Sequence, residues 1–260
     1  MKIIALMGSQ RKNGSGYRYM TQIKNKIIST SGIDFEYLFL SDFDIKMCKG
    51  CMVCYEKGED ACPLKDDYLY VIGKLLEADA VIFYSPTYTL SISGMLKNFF
   101  DRSSYICHRP LFKGKYAVIM TAVGAFGEKM TLRTLSWIVS AIGFRIIGKI
   151  GIRNGGYDRK PDYALKIDKR LQYEALKLVN LIKQNQPIEP SLFELISYNY
   201  QKEIFSRDTE GCRYDKQYWI NLGWTAPPTD YFYDVKISQI KTAIAKLLTK
   251  ILIKTGFIAT

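Results

Sequence analysis

Short apolar runs alternate with longer amphipathic segments through the first 185 residues. The runs predict strands over residues 2–6, 35–40, 80–84, 116–121 and 145–150, and the 3.6-residue pattern predicts helices over 17–30, 68–77, 93–103, 129–142 and 163–183. The third run, AVIFYSP, is apolar without alternation, as expected of a parallel strand covered on both faces. Strand and helix in strict succession define an α/β fold with a doubly wound, five-stranded parallel sheet. Order 2-1-3-4-5 suits five strands, and its ligands bind beyond the carboxyl ends of the strands, near the switch between the first and third.

After Gln186 the pattern changes. Pro187 and Pro190 end the preceding helix, and residues 186–260 read as a mostly helical extension: a helix over 192–205, a Tyr- and Trp-rich stretch, then a helix over 237–253. The last helix places Ile237, Ile240, Ile244, Leu247, Leu248 and Ile251 on one side, with Lys236, Lys241, Lys246 and Lys250 off that stripe. We expect the stripe to pack on the domain or on a second subunit; a membrane surface is the alternative.

Composition narrows the function classes. Hydrophobic residues at 48% and charged residues at 24% are ordinary for a globular chain. The net charge of +12 is spread, with 20 Lys+Arg against 13 Asp+Glu before residue 151 and 17 against 12 after it. No basic run stands out, so the excess reads as solubility, or as suiting anionic cofactors, and no nucleic-acid partner is expected. The opening MKIIALMGSQ is too short for a signal-peptide core, and no apolar stretch reaches membrane-spanning length. The expectation is a cytoplasmic protein whose six cysteines are not paired in disulfides.

Two segments carry candidate chemistry. The first strand runs into Gly8-Ser9-Gln10-Arg11-Lys12-Asn13-Gly14-Ser15-Gly16-Tyr17 ahead of a helix. Backbone N–H groups at such a helix start face an anion, with Ser9, Asn13 and Ser15 as side-chain donors and Arg11 as a cation. The glycine spacing matches neither the dinucleotide fingerprint nor the P-loop, so a monophosphate fits better than a pyrophosphate; a ligand-free turn is the other reading. Cys48, Cys51, Cys54 and Cys62 form C-x2-C-x2-C-x7-C. Three thiols at x2 spacing can wrap one face of a cubane, and the fourth is followed by proline, as in bacterial ferredoxin runs. A [4Fe–4S] cluster, a zinc or labile thiol site, and a remnant motif without metal all remain open. Cys107, Cys212 and the lone His108 have no ligand spacing and no assigned role.

The segment after the third strand, from Ser85-Pro86-Thr87-Tyr88-Thr89 through Ser93-Gly94, Lys97 and Asp101-Arg102, resembles the S-P-x-Y…S-G-x-x-K-x-x-x-D-R signature of the NADPH-dependent FMN reductase family. The cysteine spacing resembles that family's iron–sulfur flavoprotein branch. The resemblance covers residues 1–185 and implies a flavodoxin-like FMN-binding domain, with the cysteine segment as an insertion at 48–62. It assigns Pro86, Thr87, Tyr88 and Thr89 to the flavin and, by analogy, Thr121, Ala122 and Gly124 after the fourth strand. Ser9, Arg11, Asn13, Ser15, Gly16 and Tyr17 would then hold the FMN phosphate. The four cysteines would bind a [4Fe–4S] cluster near it, and Asp101-Arg102 would be a structural helix end or subunit contact.

The implied activity is an FMN-dependent oxidoreductase exchanging electrons with a small-molecule or ferredoxin-like partner. No separate catalytic residue is needed, because the flavin carries the chemistry. An NAD(P)H-dependent FMN or quinone reductase without a cluster is the second hypothesis. A non-enzymatic electron carrier or zinc-stabilised binding module is the third. Flavins of this family sit near subunit interfaces, which implies a homo-oligomer. The stretch Tyr214-Asp215-Lys216-Gln217-Tyr218-Trp219, with Gly223-Trp224, would cover the flavin and select a substrate, or form a packing arm across a dimer.

Overall fold

The computed structural model describes residues 1–156, 160–207, 211–227 and 229–255. The elements in chain order are β1 (Lys2–Met7), α1 (Ser15–Ser31), β2 (Asp34–Phe39), α2 (Val53–Glu56), α3 (Tyr68–Glu77), β3 (Ala80–Pro86), α4 (Gly94–Arg102), β4 (Tyr116–Val123), α5 (Glu128–Ala141), β5 (Arg145–Arg153), α6 (Pro161–Gln184), α7 (Leu192–Ser206), α8 (Arg213–Asn221) and α9 (Gln239–Lys254). They form two compact units. One comprises Met1–Lys49 and Leu64–Gln186, the other Gly50–Pro63 and Pro187–Thr260.

The first unit is an all-parallel sheet in the order β2-β1-β3-β4-β5, flanked by helices. β3 and β4 are buried at every position, as their unbroken apolar runs predict. Both run past their expected ends, because the ladder continues through Ser85 opposite Thr121 and Pro86 opposite Ala122. Proline is tolerated at this last rung, where its missing N–H interrupts nothing further along. β5 lies at the sheet margin, and its outer side is engaged by side chains of α6: the Lys177 ammonium donates to the Ile147 carbonyl, and the Arg153 N–H donates to the Tyr163 hydroxyl at 2.8 Å.

In the second unit, Tyr198, Phe205, Trp219 and Trp224 form an aromatic core. The Tyr198 and Trp219 rings stack at 5.7 Å, and Phe232 meets Trp224 edge-on at 4.8 Å. The Tyr198 hydroxyl donates to the Trp224 carbonyl at 3.0 Å, which satisfies its polar end inside the core. Ser191 and Glu194 close a capping box on α7. α9 packs on α7, with Ala245 and Thr249 as its buried residues. The expected apolar stripe is not the face that meets α7. Ile240, Ile244, Leu247, Leu248 and Ile251 are all exposed.

Candidate functional site

The carboxyl ends of β1, β3, β4 and β5 converge on a cleft lined by Ser9, Arg11, Gly14, Ser15, Gly16, Tyr17, Tyr84, Pro86, Thr87, Tyr88, Ala122, Val123, Gly124 and Asn154. α1 starts at Ser15, two residues before its predicted start, so Ser15, Gly16 and Tyr17 form its first turn. That turn holds no acidic residue, and Gly14, at the N-cap, offers no side chain to the first N–H groups. An uncapped helix start of this kind presents N–H donors and the positive end of the helix dipole to an anion. Arg11 stands at the same end, where the Ser9 hydroxyl accepts from the Arg11 N–H at 3.2 Å. The Ser15 hydroxyl in turn meets the Asn154 amide, which ties the first loop to the end of β5.

Close packing sets one position absolutely. A Cβ on Gly16 would overlap the ring and hydroxyl of Tyr84, so only glycine lets α1 descend onto that ring. Tyr84 is almost wholly buried, and burial pushes its hydroxyl above the ordinary tyrosine range, with neighbouring Tyr88 adding to the rise. It therefore stays protonated and presents a neutral hydroxyl at the cleft.

The second loop is shaped by its own hydrogen bonds. Tyr88 and Ser91 exchange backbone bonds at 3.0 Å across Thr89 and Leu90, both with positive φ (48° and 63°). The Ser93 hydroxyl caps α4, accepting from the Leu96 N–H at 3.3 Å, and donates to the Gly8 carbonyl at 2.6 Å. The Ser85 hydroxyl accepts from the Ser93 N–H at 2.9 Å. The serines of the signature thus join the first and second loops.

The third loop is supported from below. Thr87 Oγ1 lies 2.9 Å from both Thr121 Oγ1 and Thr131 Oγ1. Ala122 and Gly124 line the cleft, whereas the fully buried Thr121 does not. Asn13 and Thr89 also lie outside the lining, while the other expected loop residues are brought together in it. Sequence reasoning missed Gly14, Tyr84, Val123 and Asn154. Asn154 had a usable cue, since it directly follows the fifth strand at the same rim.

The signature's Asp101 and Arg102 have separate roles. Asp101 pairs with Lys97 on the surface of α4. The Arg102 guanidinium is buried against the equally buried Asp66, donates to the Lys46 carbonyl at 3.0 Å, and lies 4.7 Å over the Tyr68 ring. Asp66 accepts further from the Lys46 N–H at 3.0 Å and the Tyr68 N–H at 3.1 Å. The Asn98 amide donates to the Ile45 carbonyl at 2.9 Å, and Asp67 accepts from the Asp44 N–H at 2.8 Å. These contacts fasten the strand of chain that enters the cysteine segment. Burial pushes the Asp66 carboxyl up, but the Arg102 guanidinium and the two N–H donors outweigh it, leaving it below the ordinary carboxylate range.

None of the four segment cysteines is joined in a disulfide; Cys48 and Cys51 are exposed, Cys54 and Cys62 partly so. Gly50 and Met52 hold left-handed backbone (φ 62° and 60°), which turns the chain sharply between successive cysteines. Cys54 lies on α2, and Cys62 follows a short turn over Glu59–Ala61. Within the second unit, α2 packs on α8, with Glu56 3.8 Å from Arg213.

A parallel sheet of this order, with a donor-rich cleft at its carboxyl rim, is the flavodoxin-like fold. The sequence profile of NADPH-dependent FMN reductases matches residues 1–155, and the chain belongs to that family, in its iron–sulfur flavoprotein branch. It is a flavin-dependent oxidoreductase. An iron–sulfur flavoprotein of Clostridioides difficile is 28% identical over 203 residues, covering 76% of this chain and 88% of the relative. One from Archaeoglobus fulgidus is 35% identical over 162 residues, covering 58% and 72%. Among solved structures, RosB with a bound 8-demethyl-8-formylriboflavin-5'-phosphate intermediate superposes with a TM-score of 0.59 at 15% identity, covering 80% of this chain and 88% of that one. The NAD(P)H:(acceptor) oxidoreductase FerB of Paracoccus denitrificans gives 0.53 at 18% identity, covering 71% and 98%. At these identities the structural likenesses speak for the fold.

Proposed function

We propose that the cleft seats FMN, that Cys48, Cys51, Cys54 and Cys62 hold a [4Fe–4S] cluster, and that the protein exchanges electrons between a reduced donor and an acceptor of small-molecule or ferredoxin-like kind. The observation that carries the flavin reading is the uncapped, acid-free start of α1, opening on a cleft with Ser9, Arg11 and Ser15. These groups suit a dianionic monophosphate. The cleft measures about 190 Å³. That is below the roughly 300–1,000 Å³ of pockets that enclose whole drug-sized ligands. It therefore suits the phosphate and ribityl chain, with the ring lying against Tyr88 and the third loop. Bound flavin supplies hydride or single-electron chemistry. The chain's own residues hold and orient it: backbone and serine donors fix the phosphate, Pro86 and the Thr87 hydroxyl network stiffen the second loop, and protonated Tyr84 supports the first.

For the cluster, the donor set fits: four thiols in one short segment, with left-handed turns at Gly50 and Met52 that bend the backbone between them. The family profile, described by NADPH, supports a second reading, a cluster-free NAD(P)H-dependent reductase. Exposed Tyr88, Leu90 and Phe126 on the second and third loops favour a homo-oligomer in which a second subunit covers the flavin.

The test is anaerobic purification with flavin, iron and sulfide analysis and a visible spectrum. One FMN and about four irons per chain are expected. Flavin without iron would leave the cluster-free reductase, and an uptake of neither would refute the whole reading.

A further inference from the structure

The exposed arc of α9 is the largest feature of the second unit that electron transfer does not use. Ile240 is 74% exposed, Leu247 59% and Ile251 48%, while Ala245, on the α7 side, is fully buried. At 100° per residue, Ile240, Ala243, Ile244, Leu247, Leu248 and Ile251 fall within an arc of roughly 140° that points away from the α7 contact. Single exposed aliphatics are ordinary, but a contiguous row of five large ones along one helix marks a binding surface.

Charge decides what covers it. The helix QIKTAIAKLLTKILIK carries four lysines and no acidic residue. Lys241 and Lys246 are tied to Glu189 and Asp230 of the same unit, whereas exposed Lys250 borders the apolar arc and exposed Lys254 closes its C-terminal end. A second copy laid against this face by a two-fold axis would bring lysine rows together, with no carboxylate on either helix to answer them. An anionic lipid surface answers both features at once, since acyl chains take the aliphatic row and headgroup phosphates take the lysines. The helix is about 24 Å long. No helix among the described residues is long and apolar enough to cross a membrane, so the geometry is that of a helix lying along the interface.

We infer that α9 is a peripheral membrane-docking helix, which seats the Ile240–Ile244–Leu247–Ile251 row in the headgroup boundary of an anionic bilayer. Within the second unit the α7 contact uses the other side of the helix, so it leaves this row uncovered.

The experiment is flotation of the full chain with phosphatidylglycerol-containing vesicles, with pure phosphatidylcholine vesicles as the control. Binding to the anionic vesicles alone is expected, weakened by high salt. Ile244→Ser combined with Leu247→Ser should weaken it roughly a hundredfold, through two lost aliphatic insertions. Lys250→Gln should weaken it about fivefold. Both substitutions lie on exposed positions, and unchanged circular dichroism would show that they leave the fold intact. No flotation of the wild-type chain, or flotation indifferent to the serine pair, would overturn the inference. Equal affinity for soluble polyglutamate would also overturn it, by showing that charge alone attracts the helix. So would a lipid-free dimer in sedimentation equilibrium that the serine pair dissolves, since a second copy would then occupy the face.

Discussion

Replacing Arg102 by Leu removes the guanidinium from a heavily bonded buried ion pair of the first unit. Asp66 would keep its Lys46 and Tyr68 N–H donors but lose both Arg102 contacts, one of them at 3.2 Å. The Lys46 carbonyl would keep only the longer bond from the Asn98 amide at 3.4 Å, and Tyr68 would lose the cation over its ring. Leaving a buried carboxylate without its cation costs about 3–5 kcal/mol. Asp66→Asn in the same background removes the stranded charge and should recover about half of that loss, a coupling read from the double-mutant cycle. The pH dependence follows from the depressed folded pKa of Asp66. The pair's contribution is complete above the unfolded carboxyl value of about 3.9. As pH falls below that value the unfolded chain takes up its proton first, and the contribution is lost through the lower folded pKa. Guanidinium unfolding from pH 7 down to pH 3 measures this. Arg102→Leu should be destabilised at pH 7 and should lose less stability than wild type on acidification. A cost under about 1 kcal/mol at pH 7 would refute the reasoning, since that is the scale of an exposed pair.

Three further outcomes are expected. Gly16→Ala forces a methyl into the Tyr84 ring; overpacking should cost about 1–3 kcal/mol, and FMN affinity in fluorescence-quenching titration should fall, whereas equal affinity would separate α1 from the flavin site. Trp219→Ala should cost about 3–5 kcal/mol in denaturant melts, because the indole is fully buried among Tyr198, Phe205 and Trp224. Cys51→Ser should abolish or severely reduce iron loading while leaving flavin bound; full iron content in that variant would exclude Cys51 as a ligand.

The sheet was legible because its strands are apolar on both faces, a signal that needs no partner to interpret. Strand ends were less so: β3 and β5 run further than their apolar runs, since ladder bonds to β4 continue through Pro86 and Arg153. α8 was not predicted, since the stretch RYDKQYWIN is polar and becomes a helix around the burial of Trp219. The α9 stripe was found, but not that α7 would meet the opposite side, because periodicity identifies an apolar face without saying what meets it. At the cleft, loop residues with small or polar side chains were foreseen. Tyr84 was hidden inside a strand that reads as core. Arg102 was expected to be a structural helix end or subunit contact, but its partner Asp66 was not foreseen, because a buried pair thirty-six residues apart leaves no periodic trace.

The contacts that Lys177 and Tyr163 make with β5 bear on how copies of this chain can aggregate. A margin strand with open amide and carbonyl groups is a template for another strand, and a buried lysine stem with its charge on the rim is a known deterrent. Here the ammonium occupies a carbonyl and the phenol occupies an N–H, so an incoming strand would have to evict both. Growth into fibrils by extending this side of the sheet is thereby disfavoured, and self-assembly is steered toward helix faces and loops.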